Sequence, residues 1–181
     1  MRRADFEHLI AAAAAVVGEE EIVVIGSQAI LGSHPDAPRE LLISMEADVY
    51  PRRHPERAED IDGALGDGSQ FQSTYGYYAH GVGPETVRAP VGWEDRLIRV
   101  EIPPRPGGKQ GAVALCLEPH DLVLSKCAAG RERDWDFARD ALKGGLVEYE
   151  ELARRTDDLP LDQQAQEHVA AMLDGIARKL E

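Results

Sequence analysis

The sequence predicts an α/β (α+β) fold: a mixed sheet flanked by helices, with a helical C-terminal part. Three observations lead there. Short aliphatic runs such as "EEIVVIG", "LIRVEI" and "AVALCLE" alternate with helical stretches over the first 118 residues. Four helical segments then follow one another without a further strand signal. The 181 residues, 43% hydrophobic and 29% charged, have the composition of an ordinary globular domain with a real core. The organisation expected is a sheet core with an N-terminal helix over 1–118, and a helical part over 119–181 packing on the same domain.

Residues 4–17 are alanine-rich and read as a helix that Gly18 stops. A buried strand over 21–25 follows, and Gly26 with Ser27 opens a short helix running to Leu31. "GSHPDAP" is a loop of turn formers. "SMEADVY" carries the second strand, which Pro51 stops. "PERAEDIDGALGDG" is helical, with Pro55 in its first turn and glycines after Leu65. The aromatic segment 69–93 is expected to hold loops with short strands near 75–80 and 85–88. "EDRLIRVEI" reads as a strand, "RPGGKQG" as a turn, and "AVALCLE" as the last strand. Helices are then expected over 119–130, 132–145, 147–156 and 161–180.

Twenty Lys and Arg against 33 Asp and Glu give a net charge of −13. That balance argues against a broad nucleic-acid-coating surface, which needs clustered positive charge, but allows a local basic pocket and suits a basic partner. Cys116 and Cys127 make neither a disulfide framework nor a zinc site, and read as small buried hydrophobes in a reducing compartment. No apolar run reaches the length of a membrane span. The apolar N-terminal run is interrupted by Asp5, Glu7 and His8, so a helix explains it better than a signal peptide. The expected location is the cytoplasm, with no membrane partner.

Chemistry concentrates at two short motifs. In an extended strand, Glu46 and Asp48 point the same way and crowd two negative charges onto one face. A divalent cation relieves that, since Mg²⁺ favours carboxylate oxygens; a solvated edge strand is the alternative. Gly26 and Ser27 lie between a strand and a helix start, where backbone N–H groups and a hydroxyl suit a phosphate, although the same dipeptide also serves as a plain turn and cap. A phosphate cradle at one strand end and two metal-type acids on the next strand together suit a nucleoside triphosphate carried by metal ions.

The stretches "IGSQAI", "SMEADVYP" and "LEPHDLVLSKCAAGRERDWDFARDAL" resemble bacterial nucleotidyltransferase-like proteins of the AbiEii and MenT toxin kind, over roughly residues 22–142. The resemblance implies a nucleotidyltransferase-like fold in which Gly26 and Ser27 bind nucleotide and Glu46 and Asp48 hold metal. It implies that Lys126, in the pattern from Asp121 and Leu122 to Ala129, contacts the triphosphate. It also implies a catalytic role for Asp134, in "RERD", with Asp136 as the fallback. Mg²⁺ or Mn²⁺ would be the cofactor and an NTP the substrate. By analogy with the toxins, a tRNA 3′ end is the acceptor and an antitoxin protein the restraining partner. The chain departs from the family pattern in carrying Glu46 where aspartate is usual, an extra methylene that would loosen metal geometry. Glu101 is the only later strand acid in position to act as a third carboxylate.

Two functions therefore stand side by side. One is a Mg²⁺-dependent transfer of a nucleotidyl group from an NTP to an acceptor. The other is a catalytically degenerate nucleotidyltransferase fold kept for nucleotide binding or protein interaction. Arg52, Arg53 and Arg57 discriminate: lining the cleft beside Asp48 they favour the enzyme, and facing away they favour the binding module. Tyr75, Tyr77, Tyr78 and His80 could stack a base or supply a ligand, but sheet packing with hydroxyls at the rim explains them more simply.

Overall fold

The computed structural model describes residues 1–104 and 111–180. The chain opens with helix α1 (Arg3–Val17), whose Phe6, Leu9, Ile10, Ala13 and Val17 fall at helical spacing and are buried. Strand β1 (Glu21–Val24) follows, then a six-residue 3₁₀ turn, Ser27–Gly32. Strand β2 (Glu46–Pro51) ends at the proline, as its missing N–H requires. A 3₁₀ turn at Pro55–Arg57 feeds α2 (Ala58–Leu65).

Helix α3 (Gln70–Tyr75) was not expected. The Ser69 hydroxyl oxygen accepts from the Gln72 N–H at 3.1 Å and starts it, while Gly76 at φ +79° ends it. Strand β3 (Tyr78–Gly81) agrees with the expected strand near 75–80. The strand expected near 85–88 is absent, because Pro84–Thr86 winds into a 3₁₀ turn in which the Thr86 hydroxyl donates to the Gly83 carbonyl. Strand β4 (Ile98–Ile102) is shorter than expected, since Trp93–Arg96 is another such turn. Strand β5 (Ala112–Cys116) completes the sheet; the turn expected before it lies largely outside the described residues.

Helices α4 (Pro119–Ala129), α5 (Glu132–Lys143), α6 (Tyr149–Thr156) and α7 (Gln163–Ala177) follow in the expected order. Gly130 adopts φ +69° between α4 and α5, a conformation glycine takes without penalty. Buried residues of these helices, including Leu122, Phe137, Leu152 and Leu173, belong to the same apolar cluster as Phe6, Ile22 and Val49.

The sheet order is β3-β2-β1-β5-β4. The β2–β3 and β1–β5 pairs are parallel, while β1–β2 and β4–β5 are antiparallel. Alternation splits each strand between two faces. Ile22, Val24, Ala47, Val49, Ala79 and Ala114 join the main core beneath α1. On the other face Val23 and Tyr50 pack with Ile25, Trp93, Leu97 and Leu115. That second face also carries Glu46 and Asp48, and beyond the small apolar cover it opens into a cleft.

A buried ionic cluster ties the helical part to the sheet. Asp121 is fully buried and accepts from Arg96 Nε at 2.7 Å and Nη2 at 3.1 Å, and from Arg155 Nη1 at 2.9 Å. Arg155 also donates to Glu118 at 2.6 Å. His120 Nε2 accepts from the Glu148 N–H at 3.0 Å, so its Nδ1 carries the proton given to Glu118 at 2.7 Å. Asp121 thus does more than start a helix: it joins α4, the approach to β4 and α6.

Candidate active site

The cleft has a volume of about 790 Å³ and is lined, among others, by Gly26, Ser27, Glu46, Asp48, Lys126 and Asp134. These six come from four parts of the chain: the β1 exit, β2, α4 and α5. The sequence motifs that carried the functional expectation therefore meet in space.

Gly26 and Asp48 are in direct steric register. A Cβ on Gly26 would lie 1.9 Å from Asp48 Oδ2 and 3.0 Å from Asp48 Cβ. Gly26 itself has φ −82° and ψ −172°, extended backbone open to any residue, so glycine is required here by the carboxylate and not by the torsions. The 3₁₀ turn that Ser27 opens is too short to act as a helix with a sizeable macrodipole, so an anion placed there would meet only local backbone N–H groups and the hydroxyl.

Strand β3 faces both acids in register, Tyr78 opposite Glu46 and His80 opposite Asp48. The Tyr78 hydroxyl donates to Glu46 Oε2 at 2.8 Å, and His80 Nδ1 lies 3.0 Å from Asp48 Oδ1. Glu46 Oε1 and Asp48 Oδ2 have no hydrogen-bond partner among the described residues. Hydrogen bonding to Glu46, with some burial, pushes the Tyr78 phenol up to about 12. Tyr75 and Tyr77 are elsewhere, in an aromatic group with His8 and Phe71 against α1.

Across the cleft, Lys126 Nζ sits 3.7 Å from Asp134 Oδ1 and 4.9 Å from the Phe137 ring centre. Burial lowers the Lys126 pKa, and the charges of Asp134 and Asp48 oppose that shift. Asp134 is only 4% exposed, and its Oδ2 accepts from the Arg131 N–H at 3.2 Å, closing the first turn of α5. Both Asp134 oxygens are engaged. Asp136, the fallback acid, is exposed and pairs with Arg139 at 2.6 Å.

Other expectations fall elsewhere. Arg52, Arg53 and Arg57 do not line the cleft. Arg52 is 3.9 Å from Glu94, the Arg53 N–H donates to Glu19, and Arg57 pairs with Asp60 at 2.9 Å. The cleft's arginines are Arg131, Arg133 and Arg139, and the first two have no ion-pair partner among the described residues. Glu101 cannot serve as a third acid: it lies on β4, at the opposite edge of the sheet from β3, where it accepts from Arg99 at 2.7 Å. Tyr78 and His80 escaped assignment as partners of the acids. Their spacing of two matches that of Glu46 and Asp48, but only the β2–β3 pairing reveals that the two pairs face each other.

Among the described residues no group of three His, Cys, Asp or Glu side chains is arranged to hold a metal ion. Two same-face carboxylates, each with one unengaged oxygen, nevertheless fit Mg²⁺, which commonly binds through one or two carboxylates together with substrate phosphates. No helix among the described residues is long and apolar enough to cross a membrane.

No curated protein and no solved structure shows a significant match to this chain. A protein-family match does span it, and it agrees with the motifs that meet in the cleft. The family described as "Nucleotidyltransferase of unknown function (DUF6036)" matches residues 4–174, nearly the full length, and the chain belongs to it.

Proposed function

We propose that the cleft binds a Mg²⁺–nucleoside triphosphate and transfers its nucleotidyl group to an acceptor hydroxyl. The observation that carries this reading is the interlock of Gly26 with Asp48 opposite the half-buried Lys126, which brings a bare backbone, a carboxylate and an ammonium to one cleft. Glu46 and Asp48 would hold the cation through Oε1 and Oδ2. A cation held there neutralises phosphate charge and polarises the phosphoryl oxygens. Gly26 and Ser27 cradle the phosphates, while Lys126, with Arg131 and Arg133, meets their negative charge. In the transfer, the acceptor oxygen bonds to the α-phosphorus, the bond to the bridging oxygen breaks, and pyrophosphate and the hydroxyl proton are released. Asp134, with both oxygens engaged, holds Lys126 in place and does not take that proton.

The narrower form of the reading, a toxin with a tRNA 3′ end as acceptor and an antitoxin as partner, rests on the resemblance to AbiEii and MenT proteins. The charge of the cleft gives it little help: among the described residues six carboxylates (Glu40, Glu46, Asp48, Asp134, Asp136, Asp140) face four cations. The second reading is a degenerate fold that binds nucleotide without transferring it. It is favoured by Arg52, Arg53 and Arg57 lying outside the cleft and by Glu101 lying at the far edge of the sheet.

The deciding experiment incubates the chain with each α-³²P-labelled NTP, Mg²⁺ or Mn²⁺, and total bacterial RNA and protein. Label on RNA or protein that is lost in Asp48→Ala supports transfer and identifies the acceptor class. Metal-dependent NTP binding without label supports a degenerate fold that binds nucleotide, and neither label nor binding refutes both nucleotide readings and leaves a degenerate fold kept for protein interaction.

A further inference from the structure

Glu46 carries one methylene more than an aspartate at the same position would. A longer side chain has an extra rotatable bond, so its carboxylate is held less firmly unless something anchors it. Strand β3 supplies that anchor. Tyr78 stands directly opposite Glu46 in the parallel β2–β3 register, and its hydroxyl donates to Glu46 Oε2 at 2.8 Å. One position pair along, His80 stands opposite Asp48 in the same relation.

We propose that Tyr78 is the positioning residue for Glu46: its hydroxyl takes up the length of the glutamate, fixes Oε2, and turns Oε1 toward the cation site. This rests on the metal-nucleotide reading of the cleft. Side-chain lengths make the pairing specific. Shortening the acid by one carbon withdraws the carboxylate by about 1.5 Å, the length of a C–C bond. That carries the 2.8 Å contact beyond hydrogen-bonding distance. The glutamate and the tyrosine therefore work as a matched pair, and Glu46→Asp does not improve the site.

The test is Mn²⁺ titration of the full-length chain, followed by electron paramagnetic resonance with a non-hydrolysable ATP analogue present. The variants are Tyr78→Phe, Glu46→Asp and the two combined, with Tyr75→Phe as control. Tyr78→Phe should weaken Mn²⁺ binding about tenfold, the usual effect of losing a hydrogen-bond partner of a metal ligand. Analogue affinity in EDTA should not change, whereas a distorted fold would move both. Glu46→Asp should weaken Mn²⁺ binding to a similar extent, and the double variant no further, because the shorter acid no longer reaches the hydroxyl. Wild-type Mn²⁺ affinity in Tyr78→Phe, tighter binding in Glu46→Asp, or additive losses in the double variant would each overturn the proposal. A wild-type chain that binds no Mn²⁺ with or without the analogue would instead overturn the metal reading itself, and the proposal with it.

Discussion

Replacing Gly26 with alanine should abolish metal-dependent nucleotide binding while leaving the fold nearly as stable as before. The added Cβ would stand 1.9 Å from Asp48 Oδ2, against an ordinary carbon–oxygen contact of roughly 3.4 Å, so the carboxylate must retreat by about 1.5 Å. Rotating Asp48 away strains its rotamer by about 0.5–1.5 kcal/mol. It also breaks the 3.0 Å contact with His80, at about 1 kcal/mol for a partly exposed pair. Against this, alanine lowers the entropy of the unfolded chain and returns about 0.4–1 kcal/mol, because the φ and ψ of Gly26 suit it. The net stability change is therefore within about 2 kcal/mol. Metal-dependent binding should suffer far more, since losing even a hydrogen-bond partner of a metal ligand costs about 10–100-fold in metal affinity and here a proposed ligand is itself displaced. Calorimetric titration of Mg²⁺–NTP into the variant, beside a thermal melt, reads both quantities. Binding within twofold of wild type, with the melt unchanged, would refute the placement of Asp48 in the site.

Lys126→Ala should weaken triphosphate binding more than diphosphate binding in the same titration, and equal losses would exclude a terminal-phosphate contact. Arg155→Met leaves the fully buried Asp121 paired with Arg96 alone, and should cost about 1.5–3 kcal/mol in chemical denaturation; a loss below about 0.5 kcal/mol would refute the structural role of Arg155 in that cluster. Burial works to raise the Glu118 pKa, but hydrogen bonds from His120 and Arg155, with the charge of Arg155, outweigh it and hold the group at about 2, against an ordinary 4.5. Because the folded-state pKa is the lower one, the stabilisation is complete above about pH 4.5 and is lost as pH falls toward 2, on the order of 2–3 kcal/mol in all. Melts between pH 6 and pH 3 should show the loss in wild type and a flatter profile in Glu118→Gln.

Much of the fold was legible because its signals are local. The buried stripe of α1, the aliphatic runs of β1 and β5, Pro119 at the start of α4 and Gly130 at its end all depend on neighbours within a few residues. In the segment 69–93 only strand β3, expected near 75–80, was legible. Helix α3 rests on one serine cap and one glycine stop, and the 3₁₀ turn at Pro84–Thr86 overlaps the start of the strand expected over 85–88, where only Thr86 and Val87 favour one. Strand β4 begins late because Arg96 is drawn to Asp121, which lies 25 residues further along the chain.

For the site, the sequence alone singled out the candidate residues: Glu46 and Asp48 by their spacing on one strand face, Gly26 and Ser27 by their place at a strand exit, and Lys126 and Asp134 by resemblance. Tertiary structure decided what each of them meets. Only the packed chain brings Gly26 against Asp48, turns Asp134 toward Lys126, sets Tyr78 opposite Glu46, and sends Arg52, Arg53 and Arg57 away from the cleft. The physical reason is that side-chain spacing along a strand or helix follows from backbone geometry within one element, whereas strand register and helix docking are settled by burial summed over the whole core.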